Sequence, residues 1–171
     1  MLHGASHQKY HVFHVVLNRQ FHNISKPGLK IVFLHKRQIA ESICQKIKVP
    51  TGYFRVSTPE ATAYDLILYR RACGSLNSVA TILVELGEAI RSRKLAALLE
   101  SGCEISALQR LGLMLDETGW SEKTASLKRA LRSVRTYWEP LDTRVAGKGR
   151  RNEKWKVIVN MEIEPDITRE G

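Results

Sequence analysis

The sequence changes character at residues 52–69, which read GYFRVSTPEATAYDLILY. Residues up to Val56 are rich in the β-branched and aromatic types that favour strands, whereas apolar residues recur at helical spacing after them. Thr58 can cap a helix, Pro59 suits the first helical position, and Glu60 puts an anion where the helix dipole favours one. The stretch therefore predicts strands before residue 58 and a helix that begins there.

The segment 9–57 is predicted to form short strands joined by tight loops. Apolar and aromatic runs at 11–17 and 29–34 are separated by turn-forming residues at 25–28. No connection between these runs is long enough to hold a crossover helix. The strands are therefore expected to pair in a mostly antiparallel sheet.

Residues 58–139 are predicted to form about five helices, because their apolar residues recur every three or four positions. Gly112 is expected to let two helices approach closely, and Asp65 is expected to pair with Arg70 or Arg71. The last helix is predicted at 121–138. Its apolar stripe should face the core and consists of Leu127, Leu131, Val134 and Trp138.

The chain after Pro140 is predicted to be a basic loop at 142–154 followed by a closing strand at 155–163. Apolar and polar residues almost alternate in the latter segment, as they do in a half-buried strand. The other predicted strands all lie before residue 58, so this strand should return to them. The fold class is therefore α+β within a single domain of 1–171: a mostly antiparallel sheet of N-terminal strands, closed by the C-terminal strand, with an inserted helical layer.

The charge of +10 is concentrated at the start of the chain. Residues 1–57 carry nine Lys and Arg and one acid, whereas residues 58–171 carry eighteen bases and sixteen acids. Such a segment favours an acidic partner, either nucleic acid or an acidic protein surface.

The basic loop at 142–154 is a second candidate contact with such a partner. Its residues predicted to make the contact are Arg144, Lys148, Arg150, Arg151 and Lys154. The alternative is a solvated basic loop without a partner.

No set of catalytic or metal-binding residues is evident. His3 and His7 have the spacing of two ligands on one helical face, but no third ligand lies nearby, so no metal or cofactor is expected. Cys73 follows Arg70 and Arg71, which would lower its thiol pKa if it were exposed, although ordinary packing is the favoured interpretation. The three sparse cysteines fit reduced thiols in a cytoplasm.

The main enzymatic alternative is a metal-dependent nuclease. It requires Glu153, Glu162, Glu164 and Asp166 to converge with a lysine in one cleft. The last three should share one face of the predicted strand, and that face is expected to be exposed to solvent. Since the sequence also contains no glycine-rich phosphate loop and no nucleophile elbow, the prediction is that the protein is not an enzyme.

Several strings in order give the sequence a family resemblance. Besides residues 52–69, they are GSLNSVATILVEL at 74–86, LQRLG at 108–112, Leu141-Asp142, RNEKWKVIVN at 151–160 and EPD at 164–166. In this order they resemble the C-terminal domain of AbiEi-type antitoxins, which belong to type IV toxin–antitoxin systems of abortive infection. The resemblance covers most of residues 1–167.

The resemblance implies a cytoplasmic antitoxin and transcriptional regulator in phage defence, which counteracts a nucleotidyltransferase-like toxin. Whether it touches the toxin directly stays open, as does its oligomeric state. Such proteins usually carry an N-terminal winged helix that binds their operator, and Leu2 to Gln8 resembles the join just after it. The winged helix is therefore expected to be missing through a truncated gene, an alternative start or a cut. DNA binding is then expected to be weak and non-specific. The alternative function is that of a sequence-independent nucleic-acid-binding protein. No membrane partner is expected, since no apolar stretch approaches the roughly 18 residues of a membrane span.

Overall fold

The computed structural model describes residues 11–37, 39–40, 43–146 and 148–169. The helices of this α+β structure are α1 (Pro59–Leu68), α2 (Arg70–Cys73), α3 (Leu76–Leu86), α4 (Ser92–Glu100), α5 (Ile105–Glu117) and α6 (Ala125–Leu131). The strands are β1 (His11–Leu17), β2 (Ile24–Lys26), β3 (Leu29–His35), β4 (Cys44–Val49), β5 (Gly52–Ser57), β6 (Glu139–Pro140), β7 (Arg150–Asn152) and β8 (Val157–Val159). They form three small sheets, with the orders β1-β3-β2, β4-β5 and β6-β8-β7.

The first sheet is only partly antiparallel. β2 pairs with β3 in the antiparallel sense, but β1 runs parallel to β3 from the His11–Leu29 pair to the Leu17–His35 pair. After β1 the chain forms β2, which runs in the opposite direction, and a tight turn then leads into β3. β3 lies between β1 and β2 in the sheet and runs in the same direction as β1. This route brings two parallel strands together without a crossover helix, which is why the mostly antiparallel prediction was wrong for β1.

The predicted closure of this sheet by the C-terminal strand is not confirmed. β8 pairs instead with β7 in a hairpin and with β6 in the parallel sense. A partner that lies a four-residue turn away costs less loop-closure entropy than one that lies more than a hundred residues away. β8 is also shorter than the predicted 155–163, and β7 lies inside the predicted loop 142–154.

The start of α1 is as the sequence predicts. The Thr58 hydroxyl accepts a hydrogen bond from the backbone N–H of Ala61 at 3.2 Å, and Pro59 occupies the first turn. Glu60 is buried, and its carboxylate accepts a hydrogen bond from the Arg91 backbone N–H at 2.8 Å. Its side chain therefore links the start of α1 to the start of α4.

Polar contacts help to attach the first sheet to the helices, and no described residue of 12–35 is fully buried. Lys36 forms an ion pair with Asp65 at 3.1 Å, and the Tyr69 hydroxyl donates to the His35 carbonyl at 2.9 Å. Burial raises the pKa of Asp65, and the Lys36 ammonium opposes that shift. The predicted pairing of Asp65 with Arg70 or Arg71 was wrong, because Lys36, the residue that follows β3, reaches the carboxylate instead.

The core lies among the helices and includes the turn before β8. Trp155 is 1% exposed, and its indole N–H donates to the Asp116 carboxylate at 2.6 Å. A Cβ added to Gly112 would fall 2.4 Å from the Trp155 ring. Gly112 therefore makes room for this ring, whereas the sequence had predicted a close approach of two helices.

The predicted final helix is shortened to α6, which ends at Leu131. Leu127 and Leu131 are buried as predicted. Val134 and Trp138 lie beyond the helix and are only half-buried, so the prediction of Trp138 as a core helical residue was wrong. The helical region consequently ends at 131 and not at 139.

Leu131→Ala should lower the free energy of unfolding by about 2–5 kcal/mol, because it deletes a buried side chain and leaves a cavity. Chemical denaturation of the two proteins measures the difference. Arg129→Ala on the exposed side of α6 is the matched control and should change stability by less than about 0.5 kcal/mol. An equally small effect of Leu131→Ala would show that the side chain does not contribute to the core.

Candidate anion-binding surface

The basic loop residues do not come together in one site. Arg144 pairs with Asp142 at 2.9 Å, Arg150 with Glu117 at 3.5 Å and Lys154 with Asp116 at 2.7 Å. The Arg151 guanidinium lies 5.1 Å from the centre of the Trp138 ring, and the Lys148 side chain is exposed. Since three of the five cations pair with three different carboxylates, the predicted contact residues form a dispersed surface.

Asp142 is the most strongly held carboxylate of this region. It is 1% exposed, and it accepts hydrogen bonds from the guanidinium of Arg144 at 2.9 Å and of Arg70 at 2.5 Å. These bonds hold the pKa of Asp142 well below its ordinary value. Its backbone N–H also donates to Asn160 at 2.9 Å. Asp142 thus ties α2 to the segments around β6 and β8.

A different set of basic residues does come together, around a cleft of about 440 Å³ between α6, residues 132–136 and the turn before β8. We call it the cationic cleft. Its charged lining consists of Lys128, Arg132, Arg135, Lys154 and Lys156. Within the described part of the chain, no Asp or Glu side chain lines it.

The turn at 153–156 positions two of these cations. The Trp155 backbone N–H donates to the Asn152 side chain at 3.1 Å, and the Trp155 ring is buried in the core. Lys154 and Lys156 therefore lie on the surface on either side of it. Lys156 has a φ of 52°, in the left-handed region, and this conformation returns the chain to β8.

Helical spacing positions two more of the cations. Lys128 lies in α6 and Arg132 is its C-terminal cap, and residues four apart share one face of a helix. The Lys128 ammonium donates to the Lys154 carbonyl, and the Lys156 ammonium donates to the Thr136 carbonyl at 3.4 Å. These bonds hold both ends of the cleft to the backbone.

The cations of the cleft repel one another. Burial lowers the pKa of Lys128, and the positive charges of Arg132, Lys156 and Lys154 lower it further. Among the described residues, Lys154 is the only one of these cations with a carboxylate partner. That partner is Asp116, which also accepts hydrogen bonds from Trp155 and Thr124. The arrangement favours an anion in the cleft.

A comparison with known families identifies the chain. The family model described as the AbiEi antitoxin C-terminal domain matches residues 1–117. This chain belongs to the AbiEi antitoxin family. No curated protein matches it, and no solved structure does. The family is one of antitoxins and not of enzymes.

The matched part of the AbiEi domain ends at the last residue of α5. The cationic cleft is built mainly from residues beyond that point, as are the Asp142 contacts. Leu141 and Asp142, which carry part of the resemblance, are both buried. These two residues therefore attach the C-terminal segments of the AbiEi chain to its helices.

The acidic residues of the nuclease alternative lie on two different segments. Glu162, Glu164 and Asp166 are exposed, as predicted, but they lie beyond β8, which ends at Val159, and so do not share a strand face. The backbone N–H groups of Glu164 and Asp166 donate to Asn77 and Thr81, so this segment runs along α3. Glu153 lies in the turn before β8. Among the described residues no group of three or more His, Cys, Asp or Glu could hold a metal ion. His3 and His7 lie outside the described residues.

Cys73 lacks the environment of a reactive thiol. It is half-buried at the end of α2, and burial together with the charge of Asp65 raises its pKa to about 11. Only a small fraction of the thiol is then ionised at neutral pH. The nearby arginines do not lower the pKa as they would at an exposed site, and packing explains this residue.

No helix in the described residues is both long and apolar enough to cross a membrane.

Proposed function

We propose that the chain is the antitoxin component of a toxin–antitoxin system and counteracts a nucleotidyltransferase-like toxin. The observation that carries this proposal is the family match over residues 1–117. In this role the protein takes part in abortive infection, a form of phage defence, and acts in the cytoplasm.

The structure supports a binding role through its surface chemistry. The residues with the largest buried side chains are in the helical core and in the turn before β8, whereas the cations lie mainly on the outside. A regulator that recognises an acidic partner needs such a surface on a stable scaffold. The dispersed loop cations and the cationic cleft both provide it.

The experiment begins with the reading frame next to this gene. A nucleotidyltransferase-like product of that frame should arrest growth when it is expressed alone. Co-expression of the 171-residue chain should restore growth. A neighbouring product that arrests growth equally with and without the folded chain would contradict the proposal.

A second function, sequence-independent contact with nucleic acid, is favoured by the β4–β5 hairpin. Its register places Lys46 opposite Arg55 and Lys48 opposite Tyr53, so these four exposed residues share one face. Exposed cations beside an aromatic ring suit contact with phosphates and bases. This surface adds to the loop cations Lys148, Arg150 and Arg151.

We expect the chain to bind duplex DNA with a dissociation constant on the order of 10⁻⁴–10⁻⁶ M at physiological salt, without sequence preference. Affinity should fall steeply as salt rises, because counterion release drives the binding. Replacing Lys148, Arg150 and Arg151 by Ala should weaken binding equally for the chain's own promoter and for a scrambled duplex.

A salt titration on both duplexes measures this. A preference of about a hundredfold for the promoter that persists at high salt would reveal a surface that reads base edges. Such a surface would contradict the prediction of non-specific contact.

A further inference from the structure

We propose that the cationic cleft binds a compact oligophosphate, the pyrophosphate or triphosphate part of a small phosphorylated molecule. This inference goes beyond the antitoxin role, which assigns no small ligand to the chain. It rests on a cavity, on the cations that converge there and on the lack of a lining carboxylate among the described residues.

The charge of the cleft differs from that of the basic loop. Arg144 and Arg150 each pair with a carboxylate on the same surface, which offsets part of their charge. In the cleft, Lys154 pairs with Asp116 at 2.7 Å, but the other four lining cations have no ion pair among the described residues. An oligophosphate would offset several of these charges at once.

The lowered pKa of Lys128 is a physical sign of this crowding. After burial, the charges of Arg132, Lys156 and Lys154 are its causes. A bound anion would reverse that effect and keep Lys128 protonated over a wider pH range. The crowding therefore favours the occupied cleft over the empty one.

The size of the cleft favours a small molecule. A volume of about 440 Å³ lies within the range of about 300–1,000 Å³ typical of small-ligand sites. One arginine guanidinium can donate two parallel hydrogen bonds to a phosphate group, whereas a lysine ammonium acts as a point charge. Arg132 and Arg135 can supply the paired hydrogen bonds, and the three lysines can supply the point charges.

The backbone of the cleft is partly organised in advance. Trp155 is buried in the core between Lys154 and Lys156, which fixes the backbone of the turn that carries both lysines. Such fixed positions reduce the ordering cost of binding. The β4–β5 hairpin, in contrast, presents its cations on an open face that suits an extended polymer.

Sodium tripolyphosphate is the probe, titrated into the full chain by calorimetry. We expect saturable one-to-one binding with a dissociation constant of about 1 mM or tighter at low salt. The double variant Arg132→Gln/Lys156→Asn should raise that constant at least about tenfold. Asn suits position 156 because it accepts a left-handed backbone better than most residues.

Lys46→Gln/Lys48→Gln is the matched control, since it removes the same charge from another exposed surface. It should change the tripolyphosphate constant by less than about twofold if binding is local to the cleft. Both changed residues of the cleft are exposed, so the melting temperature without ligand should stay near that of the parent chain. The single variant Arg132→Gln should show a smaller weakening in the same direction.

Three results would overturn the proposal. The first is binding that does not saturate, and the second is equal weakening in the cleft and control variants, which indicates non-specific attraction. The third is duplex DNA binding that depends on Arg132 and Lys156, together with no binding and no competition by tripolyphosphate. That result would assign the cleft to a nucleic-acid backbone. None of these readouts involves the toxin, so they leave the antitoxin proposal to its own test.

Discussion

Deleting residues 152–171 should give a chain that does not fold cooperatively. The deletion removes Trp155 and Val157, which are 1% and 0% exposed, from the side of the core that faces α5. Trp155→Ala alone should cost about 3–5 kcal/mol, and a whole domain is stabilised by only about 5–15 kcal/mol. The loss of the complete segment therefore exceeds what the rest of the domain can tolerate.

Circular dichroism during thermal and urea unfolding measures this result. Glu162→Ala within the same segment is the control, because that side chain is exposed and should leave stability nearly unchanged. A soluble truncated chain with a single sharp unfolding transition would show that the core is complete without Trp155.

Asp142→Asn should lower the free energy of unfolding by about 3–5 kcal/mol at neutral pH, because it removes one partner of a buried ion pair. The Arg70 side chain is 12% exposed, and one of its guanidinium nitrogens is buried without a hydrogen-bond partner among the described residues. Without the carboxylate, this buried positive charge has lost its counterion.

The effect should depend on pH in a defined direction. The pKa of Asp142 in the folded protein lies below the ordinary value of 3.8, mainly through the Arg144 and Arg70 hydrogen bonds. Its contribution to stability is therefore fully present above pH 3.8 and is lost as the pH falls towards the folded-state pKa. The stability difference between the parent chain and Asp142→Asn should shrink in strong acid.

Urea denaturation across the acid range measures this difference. Asp166→Asn changes an exposed acid of the same chain and is the control, which should alter stability by less than about 0.5 kcal/mol. A constant difference for Asp142→Asn at all pH values would mean that packing, and not the carboxylate charge, stabilises this region.

Local signals made part of the fold predictable. The start of α1 follows from Thr58 and Pro59, because capping depends on residues that are neighbours in sequence. The burial of Leu127 and Leu131 follows from helical periodicity. The end of α6 was misjudged, since the apolar spacing continues to Trp138 although the helix stops at Leu131.

Strand partners were less predictable, because pairing depends on contacts between distant segments. Alternation in 155–163 indicates a strand and a buried face, but it does not identify the neighbour. β8 pairs with β7. The sequence around β7 is rich in basic residues and was therefore interpreted as a loop. The parallel β1–β3 pair was missed for a similar reason, since the antiparallel β2 lies between them in sequence.

The candidate site shows the same limit. The charge count drew attention to the loop, but it could not show that Glu117 pairs with Arg150 and Asp116 with Lys154. The cationic cleft joins α6 to a turn more than twenty residues later, and only Lys154 belonged to the predicted contact set. The spacing of Lys128 and Arg132 on one helical face was the available signal.

The most direct test of the antitoxin role is a colony count after induction of the neighbouring toxin, with the chain expressed from a second plasmid. The chain without residues 152–171 is the control, because it should accumulate as an unfolded product. We predict that the intact chain restores colony numbers close to those of uninduced cells and that the truncated chain does not. Colony numbers that stay at the level of toxin alone, while the intact chain accumulates as folded protein, would contradict the account.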